Sequence, residues 1–165
     1  MDDEVRAASA PSGLRFWEEF QWYWRQWPAK GMWFCLLGAW VLLFQFLGNS
    51  TLGYIETRSL FGWMSYSYNQ SADDQHGYLI PIVVLVLFWW KRKELLAQAG
   101  EAWWPGLLIV GFGLLLHLVG YRVQQTRISI IGFAVGLYGL LGVVWGRRFM
   151  QASFFPMILS RSAFR

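Results

Sequence analysis

The fold is decided by residues 105–146, which read PGLLIVGFGLLLHLVGYRVQQTRISIIGFAVGLYGLLGVVWG. Two long apolar runs, 105–121 and 128–146, flank a polar link from Arg122 to Arg127. A helix rises about 1.5 Å per residue, so a hydrocarbon core of roughly 30 Å requires roughly 20 mainly apolar residues. The stretch therefore predicts two membrane-spanning helices joined by a tight turn.

Glycines recur at three- and four-residue spacing along the second of these runs. They are Gly132, Gly136, Gly139, Gly142 and Gly146. Small residues repeated on one helix face allow the backbone of a neighbouring helix to approach closely. The pattern predicts that another helix packs on this face.

The same criterion, applied outward along the chain, predicts an all-α fold: a polytopic transmembrane helical bundle of four spans plus a partial fifth. The predicted spans cover about 31–48, 74–90, 105–121 and 128–146, with the partial span at 152–159. The second apolar run is short, and it is predicted to gain length from its polar N-terminal flank while the basic residues at its end snorkel. The polar stretch 49–76 is predicted to be an extramembrane loop, and 91–102 a short polar helix.

The N-terminal region divides into two parts before the membrane domain at 29–165. Residues 1–13 are small and polar and predict a disordered tail. Residues 14–28 place aromatic side chains at helical spacing, which predicts an amphipathic helix lying in the membrane interface. At the other end the last apolar run stops after about eight residues, so we expect either a truncated chain or an interfacial stub.

Composition excludes a water-soluble domain, because 56% of the residues are hydrophobic and only 15% are charged. The 12 tryptophans suit aromatic belts at the two interfaces better than a ligand-stacking cage. The net charge of +4 is explained by membrane topology, and no nucleic-acid partner is predicted. The single cysteine, Cys35, is interpreted as a small buried hydrophobe, and no metal site or cofactor motif is predicted.

The distribution of basic residues predicts which end of the bundle faces the cytoplasm. With a cytoplasmic N-terminus, nine basic residues lie inside and three outside, as the positive-inside rule requires. The inner group is Arg6, Arg15, Arg25, Lys30, Lys91, Arg92, Lys93, Arg147 and Arg148, and the outer group is Arg58, Arg122 and Arg127. Six tryptophans, at 27, 89, 90, 103, 104 and 145, are then predicted to form a belt at the inner interface.

This orientation places Asp73, Asp74, His76 and His117 at the outer ends of two spans. An ionisable residue at membrane depth indicates function, although His117 has the alternative of a structural hydrogen bond to a neighbouring helix. The two aspartates have the alternative of capping the second span. Pro81 lacks an N–H for the carbonyl of Gly77, which favours a polar pocket entrance beside His76, where the imidazole can act as acid or base.

These residues resemble a known family, the exosortases and archaeosortases. The segment Asp73-Asp74-Gln75-His76-Gly77-Tyr78-Leu79-Ile80-Pro81 is similar to the family's His-Gly-aromatic-Leu-x-Pro motif, and the apolar run after it ends in basic residues as the family's does. Further on, the glycine-rich span, Arg147-Arg148 and Phe155-Pro156 are similar to the family's next elements, in the expected order over about residues 30–160.

The resemblance implies a membrane cysteine protease or transpeptidase at the outer face of the bacterial inner membrane. Its substrates would be exported proteins with a C-terminal sorting tail of the Pro-Glu-Pro type, and it would be associated with exopolysaccharide production. The family's nucleophile, a Cys followed by Ser-Gly, and its Arg and His partners have no counterpart in this sequence, so no catalytic residue is assigned here. The carried-over positions are Asp74, His76, Gly77 and Pro81, and we expect this chain to be inactive alone, with a possible second polypeptide supplying the catalytic half.

Two alternatives to a membrane protease or transpeptidase remain open. The first is a non-enzymatic subunit or scaffold in exopolysaccharide export that uses the glycine-rich span as a docking face. The second is a small transporter, which is disfavoured because no pair of spans shows the broken, repeated pattern that many transporters have.

Overall fold

The computed structural model describes residues 15–49, 51, 56–70 and 79–159, and every regular element among them is an α-helix. The helices are α1 (Phe16–Gln26), α2 (Lys30–Leu47), α3 (Leu60–Gln70), α4 (Leu79–Trp90), α5 (Arg92–Gln98), α6 (Gly106–Arg122) and α7 (Thr126–Leu159). The all-α prediction is therefore confirmed for the described part of the chain. The predicted tail at 1–13 lies outside the described residues.

Two helices are long and apolar enough to cross a membrane. They are Lys30–Leu47, with 18 residues, and Thr126–Ser153, with 28 residues. The apolar helices Pro81–Trp90 and Gly106–Arg122 are shorter than that criterion requires. By length and composition, two of the four predicted spans meet the criterion for crossing a membrane among the described residues.

α6 and α7 form an antiparallel hairpin whose backbones touch through glycine. A Cβ atom on Gly113 would lie 2.7 Å from the carbonyl oxygen of Gly132 and 2.7 Å from the nitrogen of Gly136. Gly106, one heptad earlier, would meet the carbonyl oxygen of Gly139 at 2.9 Å. Only residues without a Cβ allow this approach, so the prediction that the glycines of the fourth span serve close helix packing is confirmed.

α7 consists of two helical segments that meet at Gly146, whose φ of 89° and ψ of 170° are accessible mainly to glycine. The hydroxyl of Tyr138 donates to the carbonyl oxygen of Met150 at 2.8 Å. A straight helix would separate these two residues by about 18 Å along its axis. The chain therefore folds back after Gly146.

One end of the bundle, which we call the tryptophan end, is built from Trp27, Trp89 and Trp145 with their neighbours. The indole of Trp145 lies 5.5 Å from that of Trp27, and its Nε1 donates to the carbonyl oxygen of Pro28 at 2.9 Å. Trp89 packs against α1 through Phe16, at 5.2 Å between ring centroids. These tryptophans from distant parts of the sequence lie together and line one cleft.

α3 corrects the prediction that residues 49–76 contain only loop. Leu60 is fully buried, and Phe61 packs edge-on to Phe133 of α7 at 5.6 Å. The helix was missed because its apolar residues are confined to its first turns, while Ser, Tyr, Asn and Gln follow. Its first turn covers the end of α2, where the backbone N–H of Asn49 donates to the carbonyl oxygen of Arg58 at 3.0 Å.

Candidate functional site

The end of the bundle opposite the tryptophans, which we call the polar end, is organised around the side chain of Asn49. This residue follows α2 directly and is only 1% exposed. Its Oδ1 accepts hydrogen bonds from the hydroxyl of Thr126 at 2.9 Å and from the hydroxyl and backbone N–H of Thr51 at 2.7 and 3.0 Å. Its Nδ2 donates to the carbonyl oxygen of Thr57 at 2.5 Å. One amide therefore connects α2, the following loop and the start of α7.

A second set of hydrogen bonds fixes the start of α3 at the same end. The hydroxyl of Ser59, which is 8% exposed, donates to Oε1 of Gln45 at 2.8 Å. The hydroxyl oxygen of Ser59 also accepts a hydrogen bond from the backbone N–H of Gly62 at 3.0 Å, which is the usual N-cap geometry of a serine. The hydroxyl of Ser59 thus has both a donor and an acceptor partner, and these bonds fix the start of α3 against α2.

His117 lies beside this network, about one and a half turns before the end of α6. Its Nδ1 is 3.0 Å from the hydroxyl oxygen of Ser129 on α7, and its ring centroid is 4.7 Å from that of Phe44 on α2. Ser129 is fully buried and also touches Gly120, whose hypothetical Cβ would lie 2.8 Å from its Oγ. Three helices therefore hold the imidazole in place.

The reactions in which His117 can take part depend on Nε2, because Nδ1 is engaged by Ser129. A neutral imidazole has one donor and one acceptor nitrogen, and the tautomer determines which role Nδ1 takes toward Ser129. Nε2 makes no hydrogen bond with a described residue. The structural alternative for this histidine, a bond to a neighbouring helix, is present at Nδ1, and Nε2 is left to act on another group.

The structure describes only one of the other predicted site residues, Pro81. Asp73, Asp74, His76 and Gly77 lie outside the described residues. Pro81 lies in the first turn of α4, where a missing N–H breaks no helical hydrogen bond. Its side chain is exposed, and among the described residues no hydrogen bond or ring contact joins α4 to His117. The proximity of the His76 segment to His117 stays a prediction.

The interpretation of Cys35 as a buried residue is wrong. Its side chain is exposed on α2, because the described part of the chain buries few residues of this helix. It also lies nine residues before Phe44, which corresponds to about 13 Å along the helix axis from the ring that packs on His117. Cys35 is thus not placed to act with this histidine. Among the described residues no group of three His, Cys, Asp or Glu side chains is arranged to hold a metal ion.

The sequence analysis did not identify the buried polar residues of this end, namely Asn49, Thr126 and Ser129, of which Ser129 contacts His117. The available signal was the position of Asn49 and Thr126 at the ends of apolar runs, where a polar side chain can reach backbone groups of the next element. Ser129 gave a weaker signal, as a single hydroxyl within an apolar run. The contacts between these residues span up to 77 positions of sequence and required the tertiary structure.

Comparison with known proteins gives one match. The family model described as transmembrane exosortase matches residues 63–161, which is more than half of the chain. The matched range contains the predicted motif around His76, the α6–α7 hairpin and His117. No curated protein and no solved structure matches the chain.

Proposed function

Because the chain belongs to the transmembrane exosortase family, we propose that it takes part in cleaving or transferring exported proteins at a C-terminal sorting tail of the Pro-Glu-Pro type. The observation that carries the proposal is the family match over residues 63–161, which includes both histidines of the sequence. The proposed setting is the outer face of the bacterial inner membrane, in cells that produce an exopolysaccharide.

The proposed topology has four spans: α2, α4, α6 and the first segment of α7, with the segment after Gly146 entering a fifth. α6 covers about 25 Å and α4 about 18 Å, so both rely on flanking residues to match a core of roughly 30 Å. The polar end then faces away from the cytoplasm, and the tryptophan end lies at the cytoplasmic interface. This orientation is supported by the excess of basic residues on the described segments, with eight at the tryptophan end and three at the polar end.

In this arrangement His117 and His76 form part of one wall of the reaction site. Nε2 of His117 is available to hold or transfer a proton or to orient the substrate carbonyl, while Ser129 fixes the ring. Asp73, Asp74, Gly77 and Pro81 are proposed to shape the same wall. The thiol nucleophile is proposed to lie outside these 165 residues, since Cys35 is exposed and distant from His117.

The scaffold alternative is weakened by the packing of the glycines. The face that it would offer to a partner is covered by this chain itself: a Cβ on Gly136 would lie 2.0 Å from the indole of Trp40, and Gly132 and Gly139 touch α6. A docking partner would have to displace α2 or α6 from this face. The packing therefore favours an internal role for these glycines.

A processing assay tests the proposed function. The reporter is an exported protein with a Pro-Glu-Pro-type tail, expressed with this chain and a polypeptide carrying the family's Cys-Ser-Gly segment. We expect processing with both polypeptides, loss of it in His76→Ala and His117→Ala, and normal processing in Asn69→Ala, which alters an exposed side chain on α3. Processing by this chain alone would contradict the assignment of the nucleophile, and full processing in both histidine variants would favour the scaffold.

The orientation is tested separately by labelling single cysteines in a Cys35→Ser background. Glu56→Cys and Arg122→Cys lie at exposed positions of the polar end, and Lys93→Cys lies at an exposed position of the tryptophan end. A membrane-impermeant maleimide added to intact spheroplasts is expected to label the first two and to reach the third only after permeabilisation. The reverse pattern would invert the proposed topology.

A further inference from the structure

A cleft at the tryptophan end lies between α1, α2, α4 and α7 and has a volume of about 320 Å³. Its walls are largely apolar and include the rings of Trp27, Trp33, Phe34 and Trp89. Ligand clefts in proteins begin at about this size, at roughly 300 Å³. The cleft is thus large enough for part of an extended apolar ligand.

The ammonium group of Lys30 lines this cleft and has no acidic partner among the described residues. Its Nζ donates to the carbonyl oxygens of Trp24 and Arg25, at 2.6 and 3.4 Å, and lies 5.7 Å above the Trp24 ring. An ammonium has three N–H donors, and the structure gives acceptors for two. Lys30 therefore contributes an uncompensated positive charge and a donor to the cleft.

Arg92, at the start of α5, also lines this cleft. Its guanidinium lies 4.3 Å above the ring of Trp89 and forms an ion pair with Glu19 of α1 at 2.5 Å. Its Nε is buried and has no acceptor among the described residues, and the same is true of Nε1 of Trp27. A buried donor without an acceptor is costly and calls for an explanation, and here two of them belong to residues that line one cleft. Both favour a ligand with oxygen acceptors.

We propose that this cleft binds one anionic phospholipid. The phosphate oxygens accept from Lys30, and after small side-chain rotations from Arg92 and Trp27, while an acyl chain lies along the aromatic wall. In the proposed topology this end meets the cytoplasmic leaflet, whose anionic lipids attract basic residues. The inference goes beyond the processing function and does not require the chain to be catalytically active.

Native mass spectrometry of the purified chain in detergent tests the proposal with phosphatidylglycerol and phosphatidylcholine at equal concentrations. We expect one phosphatidylglycerol to bind in preference to phosphatidylcholine. Lys30→Gln is expected to weaken its binding about fivefold, whereas Lys30→Arg keeps the charge and stays within about twofold of the parent chain. Lys93→Gln, the matched control, removes an exposed charge at the same end outside the cleft lining and is also expected to stay within about twofold.

Leu85→Trp tests the place of the acyl chain, because Leu85 lines the cleft and is 70% exposed, so that a larger ring can fill the opening without disturbing the bundle. This variant is expected to weaken the binding of both lipids. Equal binding of the two lipids by the parent chain would overturn the proposal. Equal losses in Lys30→Gln and Lys93→Gln would overturn it as well, and so would unchanged binding in Leu85→Trp.

Discussion

Replacing Asn49 by alanine is expected to destabilise the polar end more than any comparable change at the surface. The substitution removes the acceptor used by Thr126 and twice by Thr51, and the donor to the carbonyl oxygen of Thr57. Thr51 is partly exposed, so water can replace its lost bonds, but Asn49 and Thr126 are each only 1% exposed.

The expected loss in the free energy of unfolding can be worked out from the hydrogen bonds that Asn49→Ala removes. A typical hydrogen bond contributes about 0.5–1.5 kcal/mol net. The bond to Thr126 is buried and the bond to Thr57 is partly buried. Counting these two bonds, and treating those to Thr51 as replaced by water, we expect Asn49→Ala to lower the free energy of unfolding by about 1–3 kcal/mol.

The assay is unfolding of the purified chain in mixed micelles by titration with dodecyl sulfate, followed by tryptophan fluorescence and circular dichroism. The matched control is Asn69→Ala, the same chemical change at an exposed position on α3, which is expected to cost less than about 0.5 kcal/mol. If Asn49→Ala and Asn69→Ala unfold at the same dodecyl sulfate concentration, the view of Asn49 as the connection between α2 and α7 is refuted.

Two further predictions use paired glycines in the same assay. Gly113→Ala places a Cβ 2.7 Å from the backbone of α7 and is expected to cost about 1–3 kcal/mol, whereas Gly111→Ala, with nothing within 4 Å, is expected to be neutral or stabilising; equal effects would contradict the glycine packing of the hairpin. Gly146→Ala forces an alanine into a backbone conformation that costs about 1–3 kcal/mol, and its Cβ would lie 2.6 Å from the carbonyl oxygen of Glu101. The control is Gly31→Ala, because a Cβ at Gly31 would have no atom within 4 Å. If the two variants were equally stable, the chain would not fold back at Gly146.

The helix hairpin and its glycine contacts could be predicted from sequence because both depend on patterns within one apolar run. The spacing of Gly132, Gly136 and Gly139 places small residues on one helix face. Another helix is expected to pack closely there, because small residues allow two backbones to come into van der Waals contact. The pattern does not say which helix fills the face. The structure shows that Gly136 receives Trp40 of α2, whereas Gly132 and Gly139 receive α6.

The contacts that hold His117 could not be predicted either, because a pattern within one apolar run does not identify the helices that pack against it. His117 was identified because an imidazole at membrane depth is unusual, but its partners Ser129 and Phe44 come from two other helices. The general behaviour of cysteine predicts a buried Cys35, but its side chain is exposed because the described residues bury little of α2. Residue type predicts a tendency to be buried, whereas packing decides which face of a helix is covered.

The central claim is that the His76 segment and His117 meet at the polar end, and a distance measurement tests it most directly. Spin labels are placed in a Cys35→Ser background at His76→Cys with Tyr121→Cys, and at His76→Cys with Leu108→Cys, both partners being exposed positions of α6. Residues 108 and 121 are about 20 Å apart along the helix. Double electron–electron resonance is expected to give a clearly shorter distance from 76 to 121 than from 76 to 108. A distance from 76 to 121 equal to or longer than that from 76 to 108 would contradict the claim and separate the two histidines into different regions of the molecule.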